Sequence, residues 1–206
     1  MKKAVDVVLV LCAIIVTGLS VWRALPSDSL TSVKVRDKAA VEETPRYHGK
    51  LSAKYRVVVF TDYECPACKR FDREADSLVQ ANGDSVLVVF RHFPVESSHP
   101  RALPAAKVAE CAAAQGRFTE VHHALFRLDL AKSDDWQGEL LESIPAIDRR
   151  RLEACLSGPE TLRRIQVDQA LGQRLGLTGT PSVIIRNKLY TGGMPRAQVE
   201  ALLFAR

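Results

Sequence analysis

Cys65-Pro66-Ala67-Cys68 places two cysteines two residues apart, between two segments of regular pattern. The valine-rich run over residues 56–61 predicts a buried strand, and the run over 66–81 predicts a helix. Cys65 would then lie at the helix N-terminus, where unpaired backbone N–H groups and the helix dipole stabilise a thiolate. Pro66 suits the first helical position, because its fixed φ fits the helix and its missing N–H is not needed there. The pattern therefore predicts a redox-active dithiol.

A C-x-x-C pair also forms half of a zinc site, but such a site requires a second pair of ligands at metal spacing. The sequence has no second C-x-x-C and no H-x₃-H. His122 and His123 are adjacent, so on a helix they point in different directions. We therefore predict no bound metal and no other cofactor. A copper-binding module that uses Cys65 and Cys68 as soft ligands stays an alternative, against which the missing third ligand counts.

Composition indicates a globular protein. The chain has 206 residues, of which 47% are hydrophobic and 26% charged, and its net charge is +5. Basic residues alternate with acidic ones, and the arginines at 149–151 are typical of a solvated helix face. A nucleic-acid-binding protein would carry a basic stripe with interleaved aromatic residues, so we predict no nucleic-acid partner.

The N-terminal segment predicts membrane association. Lys2 and Lys3 precede an apolar run over residues 7–22. A signal peptide and a retained anchor both fit residues 1–23; we favour an anchor formed by residues 4–22, because the run lacks an A-x-A cleavage site. Since a dithiol of this kind functions in an oxidising compartment, we place the chain on the outer, oxidising side of the membrane.

Beyond this segment, residues 24–50 predict a flexible linker, because they carry prolines, serines and mixed charges without a sustained apolar period. The order of elements after residue 50 predicts an α/β domain. Strand 56–61, helix 66–81 and strand 85–93 form a βαβ unit with parallel strands. A mostly helical block follows over 101–175. Strands 182–186 and 189–191 and a helix over 195–204 then close the chain.

These motifs together resemble the DsbA-like thiol–disulfide oxidoreductases of the thioredoxin superfamily, over about residues 51–206. The segments that carry the resemblance are Tyr63-Glu64-Cys65-Pro66-Ala67-Cys68, Arg91-His92-Phe93-Pro94, His99-Pro100, Ala109-Glu110-Cys111-Ala112, Gln115-Gly116-Arg117-Phe118 and Gly179-Thr180-Pro181-Ser182. The resemblance implies a thioredoxin fold (βαβ + ββα) in which a helical subdomain, about residues 100–175, is inserted between the two halves.

The resemblance also implies roles for the site residues. Cys65 would be the exposed thiol of low pKa that forms the mixed disulfide, and Cys68 the buried thiol that resolves it. Pro66 and Ala67 would shape the dithiol turn. Thr180-Pro181 looks like the cis-proline loop that presents backbone groups to the substrate chain. An ordinary trans proline that opens an edge strand is the alternative.

The chain departs from the family pattern at two positions. Many relatives carry histidine where this chain has Ala67, which implies a milder oxidant. Relatives often carry a buried carboxylate where this chain has Val59, and that carboxylate shuttles the proton of the resolving thiol. Asp62 and Glu64 could substitute through water, but we interpret both as solvated loop residues, and His99 as a residue that caps or turns the chain.

Cys111 and Cys155 both lie in the predicted helical insert. Two further cysteines in one subdomain of an exported protein predict a structural disulfide. Two buried free thiols that pack as small apolar residues are the alternative.

The resemblance implies the function of an exported dithiol oxidase, which introduces disulfides into protein thiols in the bacterial cell envelope, on the periplasmic side of the inner membrane. We expect a membrane quinone reductase of the DsbB or vitamin K epoxide reductase type to recharge it. A reductase or isomerase with the same site is the alternative, and Thr180 before the proline favours it. An isomerase would usually bring a separate dimerisation domain, for which residues 24–50 look too short, and this favours the oxidase.

Overall fold

The computed structural model describes residues 32–37 and 44–205, which build one mixed sheet and a set of helices. The strands are β1 Ser32–Lys34, β2 Tyr47–Gly49, β3 Tyr55–Thr61, β4 Val86–His92, β5 Ser182–Ile185 and β6 Lys188–Thr191. The helices are α1 Pro66–Asn82, α2 Ala102–Ala113, α3 Phe118–Arg127, α4 Trp136–Ser143, α5 Arg149–Ser157, α6 Pro159–Arg174 and α7 Arg196–Phe204. A short 3-10 turn, Gly83–Ser85, joins α1 to β4.

The parallel pair β3 and β4 forms the centre of the sheet. The strand order is β1-β6-β5-β3-β4-β2, and every pair except β3–β4 is antiparallel. Val59 of β3 lies opposite Phe90 of β4 and Val183 of β5. Residues 57–61 and the whole of β4 are buried on both faces. This explains why the two strands are continuous apolar runs rather than alternating ones.

Helix α1 connects β3 to β4 and carries the dithiol at its N-terminus. Its inner face buries Phe71, Ala75 and Leu78, which are spaced by four and three residues as a helix stripe requires. Gly83 ends the helix at φ +53°, a conformation that glycine adopts at low cost. The helix bounds agree with the predicted 66–81 to within one residue. Since only four residues separate the end of β3 from the start of α1, the dithiol lies at the carboxyl end of the central strand.

Helices α2 to α6 are inserted between β4 and β5. Helix α2 is rich in alanine and almost entirely buried, because small side chains allow other helices to pack closely on several of its sides. After the insert, β5, β6 and α7 complete the sheet side of the domain. The order of elements is the βαβ and ββα arrangement with a helical insert, so the predicted fold class is confirmed.

The predicted linker over residues 24–50 is wrong in its described part. Residues 32–34 and 47–49 are the two edge strands of the sheet, β1 on β6 and β2 on β4. Val35 and Arg46 are both only 4% exposed. Strands of three residues are too short to show an apolar period, and their pairing depends on backbone partners distant in sequence. The folded domain therefore includes residues before 51.

A network of buried charges joins the start of the domain to the helical insert. Arg46 donates hydrogen bonds to Glu110, on α2, and to Asp168 Oδ2, on α6, the latter at 2.7 Å. Arg91 Nη1 donates to the other oxygen of Asp168 at 2.8 Å. Burial opposes ionisation of Glu110, but the neighbouring His92 imidazole and the Arg46 guanidinium lower its pKa to about 2. The Glu110 carboxylate therefore keeps its charge, and Glu110 and Asp168 together hold Arg46 across the domain.

Within residues 32–37 and 44–205, no helix is both long and apolar enough to cross a membrane. The predicted N-terminal segment 1–23, with its anchor 4–22, lies outside the described residues.

Candidate active site

The two cysteines occupy the first turn of α1. Cys65 is the N-cap residue in an extended conformation, and Pro66 takes the first helical position. Both thiols are free. Cys65 was expected to be exposed, and it is mostly buried at 8%, but it is still more accessible than Cys68 at 2%. The more accessible sulfur is thus the one at the end of the helix.

The environment makes the two thiols differ in acidity. The pKa of Cys65 is lowered to about 5, and the largest cause is a hydrogen bond from the Cys68 thiol. Burial opposes this shift. Three further groups lower the pKa of Cys65 as well: the backbone N–H groups of Cys68 and Ala67 and the side chain of Thr180. Burial raises the pKa of Cys68 far above its ordinary value, and the hydrogen bond to Cys65 adds to the effect. At neutral pH the reduced site therefore holds one thiolate, on Cys65, and one thiol, on Cys68.

Thr180 and Pro181 lie directly against the dithiol. The Thr180–Pro181 peptide bond is cis. The sulfur of Cys65 lies 3.3 Å from the Thr180 carbonyl oxygen, and the Pro181 carbonyl accepts a hydrogen bond from the Gly192 N–H at 2.8 Å. The structure thus brings the predicted residues of the dithiol and of the proline loop into one site.

A shallow groove begins beside the dithiol turn. It has a volume of about 210 Å³ and is lined by Ala67, Arg70, Phe71, Glu74, Gly193, Met194 and Pro195. Its walls come from α1 and from the segment between β6 and α7. A chain that lies in this groove would pass next to Cys65, because Ala67 belongs to the same turn.

Asp62 and His99 form a polar pair at the same edge of the sheet. The Asp62 carboxylate accepts hydrogen bonds from the Glu64 N–H and the Val95 N–H, both at 2.8 Å, and from His99 Nδ1 at 2.9 Å. Asp62 is 2% exposed, so its interpretation as a solvated residue was wrong. His99 does more than turn the chain: burial opposes its charge, but the hydrogen bond to Asp62 and the charges of Asp62 and Cys65 raise its pKa.

Sequence reasoning could have found this pair from the topology. Asp62 follows the last residue of β3, and His99 follows β4 by seven residues. Because the carboxyl ends of adjacent parallel strands meet at one edge of a sheet, polar residues after both strands are expected to lie together there. Val59, where relatives carry a carboxylate, is buried inside β3 and paired with apolar neighbours. Asp62 is the buried carboxylate of this site instead.

A second chain of hydrogen bonds runs from Tyr63 into the helices. Tyr63 Oη donates to His122 Nδ1 at 2.8 Å, and His122 Nε2 donates to Asp72 Oδ1 at 2.9 Å. Asp72 Oδ2 accepts from His123 Nδ1 at 3.2 Å. His122 and His123 thus reach the same carboxylate from two directions. Burial lowers the pKa of His122, which agrees with a neutral ring that accepts from Tyr63 and donates to Asp72. The chain fixes the loop just before Cys65.

A disulfide bond joins Cys111 on α2 to Cys155 on α5. The Thr161 hydroxyl lies 3.5 Å from the first sulfur and 3.3 Å from the second, and it donates to the Cys155 carbonyl at 2.7 Å. The bond ties two helices of the insert together and lies in a different part of the fold from the dithiol turn.

Comparison with known proteins relates this geometry to a family. The family model described as Thioredoxin matches residues 41–204. A stretch of 152 residues is 33% identical to the Na(+)/H(+) antiporter NhaA 1 of Mycolicibacterium gilvum, and it covers 73% of this chain and 24% of that protein. The chain therefore spans about a quarter of the length of the first curated relatives that it matches.

Solved structures cover most of the chain. A thioredoxin-like oxidoreductase from Silicibacter pomeroyi is 27% identical, with a TM-score of 0.70 over 81% of this chain and 95% of that one. A periplasmic thioredoxin-like protein from Salmonella enterica serovar Typhimurium is 25% identical, with a TM-score of 0.69 over 80% and 92%. The thiol-disulfide exchange protein alpha-DsbA2 from Wolbachia pipientis is 25% identical, with a TM-score of 0.64 over 76% and 86%.

Proposed function

The chain belongs to the thioredoxin family, and from this premise we propose that it is a thiol–disulfide oxidoreductase that acts on protein thiols through Cys65 and Cys68. The observation that carries the proposal is the contrast in acidity within one turn of α1. The pKa of Cys65 is about 5, and the pKa of the buried Cys68 is raised. A reactive thiolate beside a protonated resolving thiol is the arrangement that disulfide exchange requires.

The exchange proceeds in two displacements. In the first, a substrate thiolate attacks Cys65 Sγ of the oxidised site; a mixed disulfide forms, the Cys65–Cys68 bond breaks, and Cys68 leaves and takes up a proton. In the second, another substrate thiolate attacks the substrate sulfur of the mixed disulfide and releases Cys65 as a thiolate. The substrate loses two electrons and gains a disulfide, and the site becomes the reduced dithiol.

Oxidation of substrates is the direction that the site favours. The low pKa of Cys65 stabilises the reduced form at neutral pH, and a stabilised reduced form makes the couple more oxidising. Release of Cys65 in the second displacement is also fast, because a thiolate of low pKa is a good leaving group. Ala67 adds no positive charge between the cysteines, so we propose a milder oxidant than the strongest members of the family.

Thr180 and Pro181 position the substrate in this proposal. An extended substrate segment would pair with backbone groups beside the cis proline, and its cysteine would then face Cys65. The groove along Ala67, Phe71 and Met194 would receive the side chains next to that cysteine. The second candidate function, a reductase or isomerase, uses the same residues and is favoured by Thr180 before the proline.

The proposed location is the bacterial cell envelope, on the periplasmic side. The Cys111–Cys155 bond supports it, because structural disulfides persist in oxidising compartments, and so does the similarity to a periplasmic protein. In this proposal residues 1–23 form the signal anchor, and a quinone-linked membrane partner reoxidises the dithiol. The thioredoxin domain includes residues 41–204, which the family model matches, and so begins before residue 51.

The test is the oxidation of a reduced peptide that carries two cysteines, followed by mass spectrometry. The oxidised full chain should convert the peptide to its disulfide and become reduced itself. The Cys68→Ala variant is instead given the peptide in its disulfide form: the Cys65 thiolate should attack it, release one peptide thiol and stay joined to the peptide as a mixed disulfide. The Cys65→Ala variant should neither oxidise the reduced peptide nor form this mixed disulfide. A Glu153→Gln variant, altered at an exposed residue of α5, serves as the matched control and should retain full activity. Peptide oxidation by the Cys65→Ala variant would contradict the proposal.

A further inference from the structure

Away from the dithiol, three side chains from three elements converge on one point. They are His48 on β2, Asp76 on α1 and His123 on α3. Each offers one ligand atom, and the three atoms lie within 4.8 Å of one another. His48 Nε2 is 3.2 Å from Asp76 Oδ1, and His123 Nε2 is 3.9 Å from the same oxygen. Two ligands at about 2.0–2.1 Å from a tetrahedral zinc ion lie about 3.3 Å apart, so these separations suit a shared metal.

Hydrogen bonds within the cluster do not account for this convergence. The 3.9 Å separation between His123 Nε2 and Asp76 Oδ1 is too long for a hydrogen bond. The Nε2 atom of His48 is buried and has no hydrogen-bond partner in the described part of the chain, although Asp76 Oδ1 lies 3.2 Å away. A metal ion shared by the three side chains would give this buried nitrogen a partner.

The neighbouring residues hold the ligand atoms in place. His123 Nδ1 is hydrogen-bonded to Asp72 Oδ2 at 3.2 Å, which directs Nε2 toward the cluster. The other oxygen of Asp76, Oδ2, accepts a hydrogen bond from Gln80 at 2.8 Å, so Oδ1 is left for the cluster. A carboxylate behind a histidine ligand is the arrangement that fixes the ring and its tautomer in protein metal sites.

We propose that His48, Asp76 and His123 form a binding site for a divalent transition-metal ion of the Zn²⁺ type. Two imidazole nitrogens and one carboxylate oxygen are a donor set for zinc and copper rather than for calcium or magnesium, which prefer oxygen ligands. Water would complete the coordination, since an open groove of about 390 Å³ borders Asp76 and His123. Three basic side chains also line that groove, namely Lys69, Arg73 and Arg127. Their positive charges disfavour a cation that is bound by electrostatic attraction alone.

A metal in this position would clamp three elements together. It would tie the edge strand β2 to α1 and α3, and Asp72 would connect it to the His122–Tyr63 chain that ends beside Cys65.

Sequence spacing predicted no metal site, because the three ligands are far apart in the chain and the adjacent pair of histidines contributes only one. The proposal does not depend on thiol–disulfide exchange.

The test uses the full chain with Cys65 and Cys68 oxidised to a disulfide, so that no thiolate of the dithiol can bind metal. Zn²⁺ is titrated by calorimetry, and Co²⁺ is added in a parallel experiment to record its visible spectrum. We expect one Zn²⁺ per chain and a tetrahedral Co²⁺ spectrum without a thiolate charge-transfer band. Zn²⁺ should also raise the thermal unfolding midpoint, because it binds only the folded chain.

Single variants assign the ligands. His48→Gln, Asp76→Asn and His123→Gln should each weaken Zn²⁺ binding more than about tenfold and abolish the rise in unfolding midpoint. The matched control is His99→Gln, which removes a partly exposed histidine outside the cluster and should bind Zn²⁺ as the unaltered chain does. Circular dichroism without metal checks that each variant is folded. Absence of Zn²⁺ binding by the oxidised chain, or binding by the three variants that is as tight as binding by the unaltered chain, would overturn the proposal.

Discussion

His99 Nδ1 donates a hydrogen bond to Asp62 Oδ2 at 2.9 Å, beside the loop that leads into Cys65. Burial opposes the charge of His99, but Asp62 and Cys65 raise its pKa and so favour the charged imidazole. A positive charge close to the dithiol stabilises the Cys65 thiolate in return, because the interaction between two titrating groups is mutual. His99 therefore acts as a positioning and electrostatic residue of the site.

The first prediction concerns this charge. Replacement of His99 by glutamine removes the charge and should raise the pKa of Cys65 by up to about one unit. The rate of iodoacetamide alkylation as a function of pH measures the shift. The same variant should lose part of its oxidising power, since the reduced form is less stabilised. His48→Gln, at a histidine remote from the dithiol, is the control; an equal shift in both variants would refute the role given to His99.

The second prediction concerns the two thiols themselves. In the reduced chain, alkylation of Cys65 should have its midpoint near pH 5, and Cys68 should stay unreactive at neutral pH. The Cys68→Ala variant loses the hydrogen bond that contributes most to the acidity of Cys65. Its alkylation midpoint should therefore move upward. A midpoint that stays near pH 5 in this variant would show that the hydrogen bond from Cys68 does not contribute to the acidity of Cys65.

The third prediction concerns the buried charges. The folded-state pKa of Glu110 is about 2, below its ordinary value of 4.5. Its contribution to stability is therefore present above about pH 4.5 and is lost as pH falls toward 2. Glu110→Gln should lower the free energy of unfolding at pH 7 by on the order of 3 kcal/mol, because Arg46 loses a buried partner. The variant should also unfold with a weaker dependence on pH in the acid range.

Urea unfolding, followed by circular dichroism between pH 7 and pH 3, tests this. Glu153→Gln, at an exposed residue of the same helical insert, should behave like the unaltered chain. If Glu110→Gln and Glu153→Gln gave the same unfolding midpoints at every pH, the network would contribute nothing to stability.

The fourth prediction concerns the bond between Cys111 and Cys155. Replacement of both by alanine should lower the free energy of unfolding by about 2–5 kcal/mol, since a 44-residue separation is no longer closed in the unfolded chain. Urea unfolding measures this loss. Reactivity of the reduced Cys65 should be unchanged, because the bond lies in a different part of the fold. A change in the alkylation midpoint of Cys65 would instead link the bond to the redox site.

Most of the fold could be predicted from sequence because its main elements carry local signals. The runs that form β3 and β4 are buried on both faces, and α1 has a proline at its start and a glycine after its end. Residues 32–34 and 47–49 have no such signal. They are strands only because β6 and β4 offer free edges, and those partners are distant in the chain.

The site divides in the same way. Cys65, Cys68 and the proline loop could be identified from motifs, because their roles depend on short segments. Arg46 could not, because only the fold brings its partner Glu110 near. Asp62 and His99 belong to no motif either, and only the predicted topology, which puts the ends of β3 and β4 at one edge, could have suggested that they meet. A polar residue in a loop segment looks solvated until its partner is known.

The reduction potential of the Cys65–Cys68 couple tests the central claim most directly. The full chain is equilibrated with glutathione buffers of defined composition, and the free thiols are trapped by alkylation and counted by mass spectrometry. A dithiol oxidase with the pKa of Cys65 near 5 predicts a reversible two-electron couple at roughly −120 to −180 mV. A potential near −270 mV, at the reducing end of the range for such dithiols, would contradict the oxidase. Absence of a reversible couple would contradict the redox assignment altogether.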